Sequence, residues 1–170
     1  MTDPGDRTAA RAALALLLAA VLWAVAVVTA PMLTRTASSF SPPVFASAVV
    51  YGLGSVVCHQ RPDRSFQTGG LPWPVCARCA GLYLSAGAGA LVAVLWRPRW
   101  LGMTVGGRGR GLPMLLSAAA PTAVSWVAER AGLIMSSNAV RAALAVPLGL
   151  AVAALMAYAW RSSRGAGQLR

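Results

Sequence analysis

The chain has few charged residues and no lysine. Only 11% of its 170 residues are charged, whereas a soluble domain carries about 25%. All 15 basic residues are arginine, against four acidic residues. The arginines are scattered between apolar stretches and are not gathered on one face, which argues against nucleic acid as a partner. The shortage of charge therefore points to the lipid bilayer as the surroundings of this chain.

Long uncharged runs occupy most of the sequence. They cover residues 12–34, 36–60, 79–96, 111–128 and 142–160. A helix needs about 20 mostly apolar residues to cross the hydrocarbon core, and helices satisfy their own backbone groups there. The runs are continuously apolar and do not alternate as the strands of a membrane barrel do. The sequence thus predicts an all-α, polytopic membrane protein with four or five transmembrane helices.

These runs predict one helical membrane domain over residues 12–160, between an N-terminal tail (1–11) and a C-terminal tail (161–170). The first helix is expected from Ala12 to Met32. Pro31 directly follows a segment that loosely resembles a signal-peptide cleavage site and disfavours cleavage, so we expect this helix to be retained.

The second apolar piece, residues 44–57, is short. Its 14 residues end at a polar Cys-His-Gln sequence, so it either spans with difficulty or does not cross. The later helices are expected over about 75–96, 112–130 and 139–160. Two of them carry small residues at every fourth position, a pattern that allows close helix packing in membranes. The two series are Ala77, Gly81, Ser85, Gly89 and Ala93, and Ala145, Gly149, Ala153 and Ala157.

Arginine counts give an orientation, because cytoplasmic segments carry the excess of basic residues. If residues 44–57 do not cross, the two tails and the 97–110 loop share one side with nine arginines, against six on the other. If they cross, the counts are eight and seven. Both arrangements place the loop around residues 58–79 outside the cytoplasm. We expect a multi-pass protein of the cytoplasmic membrane.

All three cysteines and the single histidine of the chain fall within residues 58–79. Cys76 and Cys79 form a CxxC at the predicted start of a helix, which brings two sulfurs to one side of a turn. Cys58 and His59 precede them by one loop. The four side chains form a Cys₃His set of the kind that holds zinc or another thiolate-binding metal. Adjacent residues rarely reach the same ion, so His59 is also a candidate to orient a ligand.

Two other chemistries remain open for this cluster. A CxxC at a helix N-terminus can serve as a thiol–disulfide oxidoreductase, with the third cysteine attacking a mixed disulfide. Alternatively, Cys58 forms a structural disulfide with Cys76 or Cys79 and ties the loop down, in a structural or lipid-interacting protein. Whether the protein is an enzyme is left open, as is its oligomeric state.

Polar residues surround the cysteines. Gln60, Arg61, Arg64 and Arg78 are candidates to hold an anionic ligand or a lipid headgroup, because guanidinium groups pair with phosphate and carboxylate, or to support the metal ligands from behind. The competing interpretation is an ordinary solvated loop. Glu129 is expected to form a surface ion pair at a helix end, beside Arg130 and Arg141, and Asn138 to cap the last helix.

Two short motifs resemble the signature of an uncharacterised bacterial membrane protein family, a domain of unknown function. Residues 58–66 read CHQRPDRSF, and residues 74–83 read PVCARCAGLY. The resemblance covers about residues 44–150, with Ser85 where the family has glycine. It implies a looser second motif at Ser137, Asn138 and Arg141, and no known activity. The positions it marks are Cys58, His59, Gln60, Arg64, Cys76, Arg78, Cys79, Gly81 and Tyr83.

Overall fold

The computed structural model describes residues 4–35, 41–96 and 111–165. Its elements are helix α1 (Pro4–Arg35), helix α2 (Pro42–Val57), a 3-10 turn (Pro62–Arg64), strand β1 (Gln67–Thr68), strand β2 (Leu71–Pro72), helix α3 (Ala77–Leu95), helix α4 (Gly111–Arg130) and helix α5 (Asn138–Gly165). The predicted all-α, polytopic architecture is confirmed. The two strands form only a small antiparallel hairpin between α2 and α3.

Four helices in the described ranges are long and apolar enough to cross a membrane. They are Arg11–Thr34, Ala77–Leu95, Gly111–Arg130 and Asn138–Ser162. Helix α2 is also apolar but has 16 residues, which corresponds to about 24 Å and falls short of the hydrocarbon core. The prediction of four to five helices with one short segment is therefore confirmed.

The first and last helices extend beyond their predicted bounds. Helix α1 begins at Pro4, not Ala12, and α5 continues to Gly165, not Trp160. Proline is well suited to a first helical position, and residues 7–11 contain no helix breaker. The arginines between residues 97 and 110, which the orientation count used, lie outside the described residues, as does the end of the tail from residue 166.

Consecutive long helices run in opposite directions. Near one end of the bundle, Val27 of α1 packs with Cys58 and Val75 of the loop and with Ala80 of α3. Towards the other end, Leu17 packs with Ala90 and with Trp160 of α5. The C-terminus of α1 and the N-terminus of α3 thus share the end at which the cysteines lie.

Helices α3 and α5 meet along the two small-residue series, and we call this contact the helix seam. A side chain at Gly81 would overlap the backbone of Ala142, and one at Gly149 would overlap Ser85. A Cβ at Gly89 would lie 2.8 Å from that of Ala153. The seam therefore depends on the absence of side chains, as expected for small-xxx-small packing in membranes.

Helix α2 lies beside the C-terminal half of α1 and ends at the cysteine loop. The Ser47 hydroxyl donates a hydrogen bond to the Ala30 carbonyl at 2.8 Å. The Tyr51 hydroxyl donates one to the Pro72 carbonyl at 2.5 Å. The missing side chain of Gly54 leaves room for the Pro74 carbonyl. These contacts fix the end of α2 against the segment that leads into α3.

Candidate metal centre

The loop between α2 and α3 folds back on itself through a hairpin. Gly69 and Gly70 form its turn with φ of 59° and 82°, a region that glycine adopts without strain. The Trp73 amide donates to the Phe66 carbonyl at 2.8 Å, and the two rings lie 5.4 Å apart. The hairpin returns the chain so that the segment before α3 lies against the end of α2.

Gln60 joins the two cysteine-bearing segments. Its amide Nε2 donates to the carbonyls of Tyr51 at 2.6 Å and Pro74 at 2.7 Å. Its φ of 45° makes it the one non-glycine residue of the described ranges in the left-handed region, an arrangement that surrounding contacts must hold in place. Gln60 was predicted either to hold an anion or to support a metal ligand, and its amide nitrogen forms hydrogen bonds that position the loop.

The three cysteine sulfurs come together at this junction. The Sγ atoms of Cys58, Cys76 and Cys79 all lie within 4.8 Å of one another. Cys58 is buried, the other two are half-buried, and all three are free thiols. Sulfurs that bind a tetrahedral zinc at about 2.3 Å are about 3.8 Å apart. A small closure of the group would therefore accommodate a thiolate-binding metal.

The surroundings of Cys76 favour its thiolate form. The backbone N–H of Cys76 donates a hydrogen bond to Cys58 Sγ at 3.2 Å. The Cys79 thiol lowers the pKa of Cys76, helped by the backbone amides of Cys79 and Arg78 and opposed by burial. These amides belong to the first turn of α3, whose partial positive charge also favours an anion. Thiolate is the form in which cysteine binds metals or attacks disulfides.

His59 stands apart from the sulfur group. It is exposed, and its imidazole nitrogens are not among the ligand atoms that lie within 4.8 Å of one another. It nevertheless lines the same cavity as the cysteines. The structure therefore brings together three of the four predicted metal ligands and leaves the fourth at the rim.

Arg78, between the two cysteines of the CxxC, reaches across to α4. Its guanidinium lies 3.0 Å from the Glu129 carboxylate, which Arg141 of α5 also contacts at 3.1 Å. An ion pair of Glu129 with Arg141 is present as expected, but the Glu129 side chain is only 4% exposed, so the expected surface location is wrong. Two guanidinium groups from separate helices cover this carboxylate, and a local sequence pattern does not reveal such a pairing.

Asn138 extends this network to the loop and does not act as the cap. Its amide oxygen accepts from Arg141 at 2.9 Å, and its amide nitrogen donates to the Ser65 carbonyl at 3.0 Å. The hydroxyl of Ser137 caps α5 by accepting from the amide of Val140 at 3.3 Å. We call the connected set of Arg78, Glu129, Arg141, Asn138 and Ser65 the polar clamp.

A cavity of about 480 Å³ opens beside the sulfurs. All eight residues predicted for the site line it, including the exposed Arg61, which pairs with Asp63 at 3.1 Å. Two further lining residues, Arg130 and Trp126 at the end of α4, were not predicted for the site. For Arg130, the available signal was its position next to Glu129 in the sequence. The lining residues are Val57, Cys58, His59, Gln60, Arg61, Arg64, Cys76, Arg78, Cys79, Trp126, Arg130 and Arg141.

Comparison with known proteins places this site in a wider group. Residues 58–155 match the family described as "Predicted membrane protein (DUF2085)". An uncharacterized protein of Methanothermobacter thermautotrophicus is 31% identical over 99 residues, which cover 58% of this chain and 83% of that protein. An uncharacterized protein of Methanocaldococcus jannaschii is 42% identical over 48 residues, which cover 28% of this chain and 31% of that protein.

The family description supports the membrane part of the resemblance. The bacterial part is not supported, because both relatives come from archaea. The match begins at Cys58 and so includes all three cysteines, the histidine and the arginines of the site. No solved structure matches the chain.

Proposed function

This chain belongs to the DUF2085 family of predicted membrane proteins, and we propose that it holds a thiolate-binding metal, most simply zinc, at one end of its membrane bundle. The ligands are Cys58, Cys76 and Cys79. The observation that carries the proposal is the convergence of three sulfurs within 4.8 Å from two segments separated by a folded hairpin. Zinc commonly binds three or four such ligands in a tetrahedral arrangement.

The fourth coordination position is open to the cavity. His59 lies next to Cys58 in the lining of that cavity and is the fourth ligand that a Cys₃His site would take. A metal with three protein ligands and one open position can instead bind water or a small molecule. In that case His59 orients the ligand or transfers a proton.

Metal analysis of the full chain, purified in detergent without chelators, tests the proposal. We expect about one metal ion per chain in the wild type, because three thiolates bind zinc tightly at neutral pH. Cys58→Ser, Cys76→Ser and Cys79→Ser should each lose most of it. Ser55→Ala is the matched control, since this exposed hydroxyl contacts only the Gly52 carbonyl of its own helix. Metal-free wild-type protein, or protein whose metal survives all three substitutions, would contradict the proposal.

Thiol counting without reductant, on the same sample, separates the alternatives. The second candidate function is that of a membrane oxidoreductase. It would be supported by metal-free protein in which Cys76 and Cys79 cycle between dithiol and disulfide with a quinone or a thioredoxin-like protein. The lowered pKa of Cys76 favours this candidate. A permanent disulfide between Cys58 and either Cys76 or Cys79 would indicate that the cysteines have a structural role. Three free thiols without metal would exclude both the metal site and the structural disulfide.

The metal centre faces the extracytoplasmic side of the cell membrane in this proposal. The support is the arginine count, together with antiparallel helices that put the start of α1 and the end of α5 at the end opposite the cysteines. A membrane-impermeant maleimide added to intact cells should label chelator-treated protein at Cys76 and Cys79. Labelling only after the cytoplasmic side is opened would reverse the orientation.

A further inference from the structure

The cavity beside the cysteines is unusually rich in guanidinium groups. Five arginines line it, from the loop, α3, α4 and α5. Its volume of about 480 Å³ lies within the range of sites for small molecules. The arginines are Arg61, Arg64, Arg78, Arg130 and Arg141.

Carboxylates neutralise only part of this charge. Glu129 is shared by Arg78 and Arg141, and Asp63 lies 3.1 Å from Arg61 and 3.8 Å from Arg64. Arg130 contacts no carboxylate in the parts of the chain that the structure describes. It lies over the Trp126 ring, 5.9 Å from its centroid. The Arg78 Nε is buried and has no hydrogen-bond partner. Five positive groups therefore face two negative ones.

In the metal-bound state, the cysteine thiolates do not cancel this surplus of positive charge. With protonated thiols, the five lining arginines and the two carboxylates paired with them carry a net charge of three positive units. Three thiolates would cancel them, but a divalent ion bound by those thiolates brings the surplus back to two. In either case the cavity favours an anion, and a doubly charged anion fits better than a single carboxylate.

We propose that this cavity binds a phosphate monoester, held by Arg64 and Arg130 and completed by Arg141. Guanidinium groups match phosphate oxygens in geometry and charge. Arg64 and Arg130 are the least committed of the five, since Arg64 has only a 3.8 Å contact with an exposed carboxylate. The phosphate belongs either to a lipid headgroup or to a soluble molecule. Val57 and Trp126, both more than half exposed, add an apolar wall that either ligand can contact.

Calorimetric titration of the full chain in a non-ionic detergent tests this proposal. The probes are glycerol 3-phosphate, short-chain phosphatidic acid and, as a control, short-chain phosphatidylcholine, whose phosphate is a diester beside a fixed positive charge. We expect saturable binding of at least one phosphate monoester and at least tenfold weaker binding of phosphatidylcholine. Arg64→Gln and Arg130→Gln should each weaken the monoester by about tenfold or more, as loss of a charge-assisted hydrogen bond does.

The controls make the result decisive. Arg11→Gln removes an exposed arginine near the start of α1, far from the cavity, and should leave affinity unchanged. Phosphatidic acid binding tenfold tighter than glycerol 3-phosphate identifies a lipid as the source, and similar affinities identify a soluble ligand. No saturable binding of either monoester overturns the proposal. So does equal affinity in wild type and in Arg130→Gln, whose side chain supports no ion pair that folding requires.

This experiment tests the proposed metal site and the proposed phosphate site independently. Metal content measured on the same Arg64→Gln and Arg130→Gln samples should match the wild type, because the group of candidate metal ligands consists of Cys58, Cys76 and Cys79. Wild-type protein that contains metal but binds no phosphate monoester overturns only the present inference. Metal-free protein that binds phosphate overturns only the proposed metal site.

Discussion

The helix seam and the polar clamp hold α3 in place by opposite means. In the seam, Gly81, Ser85 and Gly89 let α3 approach the backbone of α5 where a longer side chain has no room. In the clamp, the long side chains of Arg78 and Arg141 meet on Glu129. The seam is therefore sensitive to added volume, whereas the clamp is sensitive to a lost partner. The cysteines lie where the two meet, so both determine the position of the CxxC.

The largest expected effect is at the clamp. Glu129→Gln removes the charge between Arg78 and Arg141, whose side chains are only 14% and 12% exposed. Leaving buried charges without their partner typically costs about 3–5 kcal/mol. Thermal unfolding in detergent should show a large fall in stability. Asp63→Asn is the control, because that carboxylate is exposed and we expect no measurable change. Equal stability of the two variants would show that the clamp is not a structural element.

Adding a single methyl group at the helix seam should lower the stability of the protein. Gly81→Ala places a methyl group against the Ala142 backbone, which cannot move away as a flexible side chain would. Overpacking of this kind costs about 1–3 kcal/mol. Gly52→Ala is the matched control, since nothing lies within 4 Å of its added Cβ. We expect Gly52→Ala to be neutral or slightly stabilising; similar losses in both variants would contradict close packing at the seam.

The smallest expected effect on stability is at Gln60, which belongs to neither region. Gln60→Ala removes two hydrogen bonds to half-buried carbonyls, with a cost of about 1 kcal/mol after water compensates. Its effect on metal affinity should be larger, about 10–100-fold, because groups that position ligands contribute this much. Competition with a zinc chelator measures it. Gln67→Ala is the control, an exposed glutamine in the same loop, and a matching loss there would contradict the role of Gln60.

The sequence predicts the seam far better than the clamp. Small residues at every fourth position indicate the two helix faces that can pack closely, because helical periodicity is local, although they do not show that these faces pack on each other. Charge-free runs indicate the four long helices for the same reason. The sequence also predicts the grouping of Cys58 with the CxxC, but it does not predict the exposed position of His59. The burial of Glu129 could not be predicted from neighbouring residues, because its charge partners come from α3 and α5. Asn138 was predicted as a cap for the same reason: its loop partner, Ser65, lies far away in the sequence.

X-ray absorption spectroscopy at the zinc edge tests the central claim most directly, because it reports which atoms surround the metal in purified full-length protein. The account predicts three sulfur neighbours at about 2.3 Å and one nitrogen or oxygen neighbour at about 2.0–2.1 Å. His59→Ala should change only the lighter neighbour if His59 is the fourth ligand. A metal surrounded by nitrogen and oxygen alone, or protein that takes up no metal at all, would contradict the convergence of Cys58, Cys76 and Cys79 on one ion.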